Sequence, residues 1–466
     1  MIIPLIEQAF QQVIKQLPVA GTAVSVIHNG FQNILVKGFA NAKEGTEVTP
    51  HTRFAVASVT KSLSATLIAK CVVEGLFDWN TPVSELLSGF KLSNTEATRK
   101  ATVVDFLAHR TGLARHDMLW YMGAVSNREE LLKRLQYLQF RLPFREGFQY
   151  NNLLYVVLSC IVEKYTGITW EAAMEQMLYE TLGMTNSEIF RSGIMPDVAT
   201  PHEEKDGRFT IIPIFDNSMM APCGGLLSSA EDMLKWLQFN LKANAQPQTE
   251  LQRVVRDKLM TPLVAVSKES PWQEWSIPHA CLGWRDLLYR DYRMLFHSGG
   301  INGFATITIL LPELKTGISV MCNGQSAFPE ALAYSLIDIM EDYPYTDWAE
   351  RFVTAGKKRR TEKNQEKAIL RNELKANVFP KYEICGKYFN SGYGVLTIDE
   401  NTSGYTLCYG KREFELQPGS GDVCSIYFAD HDVLYPVMFE PGASQAEAVR
   451  VPFERLVDAI EFHRLT

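Results

Sequence analysis

Two side chains one helical turn apart carry the most chemistry in this sequence: Ser58 and Lys61, in Ser58-Val59-Thr60-Lys61, directly after the apolar run Phe54-Ala55-Val56-Ala57. Residues three apart share a helix face, so an amine at that spacing can take the proton of a hydroxyl and make it a nucleophile for acyl transfer. The residues beyond support a helix: Leu63, Leu67, Ile68, Cys71 and Val72 fall largely on one face, and Gly75 is placed to end it in a left-handed cap. Ser58 is therefore predicted at a helix N-terminus. There the macrodipole and free N–H groups favour the negative charge that an attacked carbonyl oxygen develops. Lys61 serves as a base only when deprotonated, which calls for burial or a positive neighbour.

The pair alone decides nothing, because a serine at a helix start is also an ordinary N-cap. S-x-x-K is short enough to arise by chance about once in a chain of this length. Ser88-Gly89-Phe90-Lys91 is such a match, and its internal glycine and the following Leu92-Ser93-Asn94 predict a turn. Two further motifs decide. Tyr150-Asn151-Asn152 follows the loop Pro143-Phe144-Arg145-Glu146-Gly147 and opens an apolar helix, Leu153 to Tyr165, ended by Thr166-Gly167. His297-Ser298-Gly299-Gly300 lies between the strand-like Tyr292 to Phe296 and the alternating segment Phe304 to Leu311. The motifs thus stand in the order S-x-x-K, Y-x-N, H-x-G, 92 and then 147 residues apart.

This order resembles the serine β-lactamase, penicillin-binding and D-aminopeptidase superfamily, in particular its class C β-lactamase-like esterase and peptidase branch. Further stretches carry the resemblance: Glu74 to Val83, Phe106-Leu107-Ala108-His109-Arg110-Thr111-Gly112-Leu113, and Gly224 to Asp232. It covers roughly residues 5 to 345. The resemblance implies catalytic roles for Ser58, Lys61, Tyr150 and His297, with Asn152, Ser298, Gly299 and Gly300 binding substrate or forming the oxyanion site. Ser58 attacks an amide or ester carbonyl, Lys61 and Tyr150 share the proton transfers, and the N–H groups of Ser58 and Gly300 hold the oxyanion. Asn152 donates to the substrate carbonyl and orients Lys61, and His297 bonds toward Tyr150 or the far end of the substrate. Where β-lactam-recognising relatives carry lysine, His297 reads as a weaker, pH-dependent cation for a substrate carboxylate.

Other matches are set aside by context. Lys315-Thr316-Gly317 spells the lysine form of the third motif, but Pro312-Glu313-Leu314 before it and the strand Ile318 to Cys322 after it predict a connecting turn. Tyr388-Phe389-Asn390 lies past the catalytic region, and His28-Asn29-Gly30 reads as a hairpin turn. His109, His116 and His202 are too scattered for a metal site; His109 to Gly112 organises a loop, and His116 and Asp117 are secondary candidates for substrate contact. There is no G-x-S-x-G elbow, H-E-x-x-H helix or Gly-rich phosphate loop. The reading calls for no cofactor and no metal.

The elements that must hold these groups give an α+β chain: an antiparallel sheet flanked by helices with a helical subdomain, β-lactamase/transpeptidase-like, over residues 1–350. The charge run Lys357 to Lys367 marks a helical linker, 351–378. Beyond Pro380, short strand-like runs at 393–398, 405–409, 413–416, 424–428 and 448–451 predict a small antiparallel β-barrel, 379–466. It resembles the lipocalin-like barrel appended to this enzyme branch.

Composition narrows the partners. With 466 residues, 46% of them hydrophobic, and a net charge of -7, the chain can fill two cores and is no general nucleic-acid binder. No stretch has membrane-spanning length. Glu7 to Leu17 reads as an amphipathic helix rather than a secretory signal, and the eight scattered cysteines read as reduced core residues, so the expected compartment is the cytoplasm. The expected function is a serine hydrolase, acylated on Ser58, that cleaves amide or ester bonds of small or D-amino-acid-containing substrates. An aminolytic acyltransferase or peptide cyclase, and a β-lactam-binding protein with little turnover, are the alternatives.

Overall fold

The computed structural model describes residues 2–190, 195–205, 207–402 and 404–465. Contacts divide the chain into two compact units. One holds Met1–Leu87, Thr102–Arg110 and Leu154–Ala355, and the other Ser88–Ala101, Thr111–Leu153 and Gly356–Thr466. This division cuts differently from the segmentation by composition, because residues 88–101 and 111–153 join the barrel-bearing unit.

The first unit is built on a nine-stranded antiparallel sheet. Its order is Thr46–Glu47, Phe31–Asn41, Gly21–His28, Thr316–Cys322, Phe304–Leu311, Tyr292–Ile301, Arg285–Tyr289, His279–Ala280 and Val264–Ala265. The central strands alternate apolar and small polar residues, yet both faces are buried. Ile307, Ile309, Ile318 and Val320 pack with the helices Ile2–Ile14 and Phe328–Met340 in one apolar core. Thr308 and Ser319, of opposite parity, pair their hydroxyls at 3.2 Å on the other face, where Ser25 Oγ donates to Ala230 O (2.6 Å) at the start of the helix Ala230–Ala245.

The helix Thr60–Val73 is enclosed almost all round rather than on the single apolar face its sequence suggests. Its hydroxyls tolerate burial because carbonyls accept from them: Ser62 Oγ donates to Val59 O (2.8 Å), Ser64 Oγ to Pro222 O (2.7 Å) and Thr66 Oγ1 to Ser62 O (3.0 Å). Gly75, at φ +76°, closes the helix as expected.

In the second unit, eight strands from Gly386–Asn390 to Ile460–Arg464 form a closed antiparallel barrel. Tyr393, Tyr409 and Phe453 stack within it, with the two tyrosine rings 6.4 Å apart and Tyr409 4.9 Å from Phe453, and Phe462 stands edge-on to all three. The charge run lies on the helix Trp348–Glu373 and is not merely solvated: Lys367 Nζ bonds Asp432 Oδ1 at 2.6 Å. Among the described residues no single helix is long and apolar enough to cross a membrane.

Candidate active site

Ser58 sits in a one-turn 3-10 helix, Ala57–Val59, that runs straight into Thr60–Val73. Three short strands fix its approach: Phe54 pairs with Ser228, Ala55 with Leu227, and Glu188 with Leu227 from the other side. Val56 N donates to Leu226 O (3.0 Å), and Leu226 N to Thr60 Oγ1 (3.2 Å). The chain then turns sharply, with Ala57 at φ +46°, a left-handed conformation that costs a non-glycine residue about 1–2 kcal/mol. Strain of this kind persists only where the surroundings enforce it, and here it presents the Ser58 side chain half-buried while its neighbours are buried.

Lys61 is fully buried. Its Nζ donates to Ser58 Oγ at 3.1 Å and to the Cys223 carbonyl at 2.7 Å, and lies 5.3 Å from the centre of the Tyr155 ring. Tyr155 is itself fixed by its hydroxyl, which donates to Leu107 O (3.0 Å). The amine is therefore held on the serine oxygen within proton-transfer distance.

The third motif lies inside one strand, Tyr292–Ile301. The neighbouring strand pairs with it only as far as Arg285 opposite Phe296, so His297 to Ile301 have a strand partner on one side only, Phe304 to Thr308. A Cβ on Gly299 would stand 2.2 Å from Val56 O and 3.0 Å from Ser58 N, so glycine is required for this strand to abut the serine turn. A Cβ on Gly300 would meet nothing within 4 Å. Ser298 and Gly300 are exposed.

His297 is buried, and its Nδ1 lies 2.7 Å from Ser298 O. A carbonyl only accepts, so Nδ1 carries the proton and Nε2 is the acceptor. Burial first, then the charges of Lys61 and Arg285, push its pKa well below the ordinary histidine value. Burial and these charges thus disfavour the cationic form that the sequence reading assigns to His297. Lys315 is exposed at φ +47° in the turn after Leu311, the end of the sheet where the motif strand begins rather than the end that carries Gly300. The turn at Ser88-Gly89, with Gly89 at φ +80°, likewise agrees with the sequence reading.

Tyr150 and Asn152 belong to the second unit, whereas Ser58, Lys61 and His297 belong to the first. Arg115 places its guanidinium 5.0 Å from the centre of the Tyr150 ring. Asn152 Nδ2 donates to Asp117 Oδ1 (3.1 Å), while its Oδ1 is buried without a hydrogen-bond partner. A buried acceptor left open costs about 1–3 kcal/mol. Asn151 fixes the turn between them through Nδ2 to Ala114 O (2.6 Å).

The sequence reading missed the Cys223 carbonyl and Arg115. Neither leaves a signal, since one is a backbone atom and the other lies 35 residues before the ring it covers. Asp117 and His116, secondary candidates for substrate contact, are buried, and their polar atoms are engaged inside the second unit. Among the described residues no cluster of His, Cys, Asp or Glu could hold a metal ion. Five of the eight cysteines are buried, and Cys223 Sγ donates to Met220 O (3.1 Å). Beside the serine turn, Ala55, Phe190, Gly225, Leu227, Ile301 and Phe304 line a small, partly open apolar hollow in the first unit.

The beta-lactamase family model matches residues 6–339. An unguisins hydrolase of Aspergillus violaceofuscus is 26% identical over 382 positions, spanning 74% of this chain and 66% of that protein. A beta-lactamase of Providencia stuartii is 23% identical over 363 positions, spanning 72% of this chain and 91% of that protein. The octameric penicillin-binding protein homologue from Pyrococcus abyssi shares the fold, with a TM-score of 0.62 at 20% identity over 99% of this chain and 100% of that one.

Proposed function

The chain belongs to the beta-lactamase family and is a serine hydrolase; from that premise we propose that Ser58 forms an acyl-enzyme with amide or ester substrates that are small or contain D-amino acids. The observation that carries the proposal is the Lys61 amine, buried with its Nζ 3.1 Å from Ser58 Oγ and donating to the Cys223 carbonyl at 2.7 Å. In this reading Lys61, in its neutral form, turns a lone pair toward Ser58 and takes the Ser58 proton as Oγ bonds to the carbonyl carbon. The oxyanion is held by the N–H groups of Ser58 and Gly300. Tyr150, working with Lys61, delivers the proton to the leaving group, and the C–N or C–O bond breaks. Water then attacks the acyl-enzyme, gives its proton to the same groups and frees the acid.

Asn152 is proposed to bind on its open Oδ1, either the Lys61 amine or a substrate N–H. Gly299 keeps the strand edge against the serine turn, and Ser298 flanks the entering substrate. Neutral His297 offers an acceptor nitrogen and no positive charge, which supports substrates without a carboxylate at that position. A relative named for hydrolysis supports water as the acceptor. Eight cysteines, five of them buried, support a reducing compartment, the cytoplasm.

The test exposes the enzyme in turn to a β-lactam and to D-amino-acid esters, with intact-mass detection of adducts and product analysis. The expected result is a transient adduct with esters and release of the free acid. Product formed only when an amine is added, or a persistent adduct without turnover, would replace this reading by a transferase or a binding protein respectively.

A further inference from the structure

The segment that carries Tyr150 and Asn152 is fastened to the C-terminal barrel by a residue with no role in the chemistry. His116, in the left-handed region at φ +50°, is fully buried and has every polar atom of its side chain and its backbone N–H engaged. Its N–H donates to Glu454 Oε2 (2.7 Å), its Nε2 lies 2.9 Å from Gln139 O, and its Nδ1 lies 2.7 Å from the Tyr393 hydroxyl. Because the Gln139 carbonyl only accepts, Nε2 carries the ring proton and Nδ1 accepts from Tyr393. Tyr393 and Glu454 belong to the barrel sequence, so one residue of the segment is clamped by two barrel side chains, one on its backbone N–H and one on its ring.

The residues on either side of His116 hold the two groups of interest. Arg115 Nε donates to Asp117 Oδ2 (2.6 Å) and Arg115 covers the Tyr150 ring, while Asp117 Oδ1 accepts from both Asn152 Nδ2 (3.1 Å) and Trp120 Nε1 (2.9 Å). A few residues on, the barrel backbone touches the segment again: Lys411 N donates to Met122 O (2.7 Å), and a Cβ on Gly410 would stand 2.3 Å from that same oxygen.

We propose that the barrel sets the position of Tyr150 and Asn152 through this clamp, with His116 and Asp117 as positioning residues, so that the C-terminal domain governs the acylation step without lending it a reacting atom. The inference rests on the reading above in which Tyr150 and Asn152 serve Ser58.

The experiment uses the full chain with p-nitrophenyl acetate as the ester probe, measuring the acylation rate, KM and the melting temperature. Tyr393→Phe and Glu454→Gln should each lower the acylation rate about tenfold with KM within about threefold, as expected when reacting groups are displaced slightly while ester binding is kept. Asp117→Ala should lower it about a hundredfold, and Asp117→Asn, which keeps an acceptor oxygen for Asn152, should restore about tenfold of that loss. Unchanged acylation in folded Tyr393→Phe, or Asp117→Asn no better than Asp117→Ala, overturns the inference. If Glu454→Gln does not fold, Tyr393→Phe, which removes a single oxygen, decides alone. Tyr150→Phe separates the two readings: a wild-type rate in that variant defeats the proposed function, whereas a large loss there beside an unchanged Tyr393→Phe defeats only the positioning role.

Discussion

At the residue scale, the account turns on an amine that is buried and yet hydrogen-bonded to a hydroxyl. Lys61→Ala should lower acylation by about a hundredfold or more, the usual scale for losing a general base, as read by the rate of adduct formation. A near wild-type rate would assign the proton transfer elsewhere. The neutral state of His297 has a consequence for stability. The unfolded chain takes up a proton on this residue near pH 6.5, whereas the native imidazole, buried beside Lys61 and Arg285, resists it until well below. The unfolded state therefore binds more protons in that window. Stability is fully present above about pH 6.5 and falls as the pH drops below it, by up to about 1.4 kcal/mol per pH unit for each such histidine. His116, held low chiefly by burial, acts in the same direction. Urea melts between about pH 7.5 and 5.5 should show this fall, and His297→Gln should flatten it; an unchanged slope in the variant would contradict the neutral assignment. The Ser58 and Lys61 pair was legible in the sequence because a spacing of three is a local property of a helix. The charge state of His297 was not, since it depends on Lys61 and on burial supplied by distant segments.

At the scale of elements, the strand Tyr292–Ile301 reaches the serine turn only because Gly299 lacks a side chain. Gly299→Ala would put a methyl carbon 2.2 Å from Val56 O, so the strand must retreat from Ser58. The expected cost is about 1–3 kcal/mol, together with a tenfold or larger loss of acylation. Gly300→Ala, with nothing within 4 Å of the new carbon, should leave the melting temperature nearly unchanged. Equal melting temperatures for the two variants would refute this view of the contact. The long elements were readable: the serine helix with its Gly75 stop, the helix after Asn152, the strands around the third motif and the hairpin at Asn29-Gly30. The strands Phe54–Ala55, Glu188–Ile189 and Leu226–Ser228, which aim Ser58, were not, because runs of two or three residues carry no periodicity. Five runs of the barrel were recognised. Val433–Pro441 carries two prolines, and Ile460–Arg464 and Gly386–Asn390 mix charges into short runs, so their alternation is masked until closure supplies partners.

At the scale of the whole molecule, composition located the barrel correctly but could not show that residues 111–153 share its unit, because that association rests on single contacts such as His116 with Tyr393 and Glu454. If the clamp on His116 positions this segment, a chain ended near Lys357 should lose protection of the 111–153 segment in limited proteolysis and acylate small esters at least about tenfold more slowly. A truncated, folded chain with full-length kinetics and an uncut segment would contradict it. The central claim is chemical, that one oxygen at the start of one helix takes up the acyl group. It is tested most directly by trapping the enzyme with a fluorophosphonate and mapping the adduct by peptide mass spectrometry. The account predicts a single modified peptide carrying Ser58 and no modification of Ser58→Ala; an adduct on Ser88, Ser298 or any other residue, or undiminished labelling of Ser58→Ala, would contradict it.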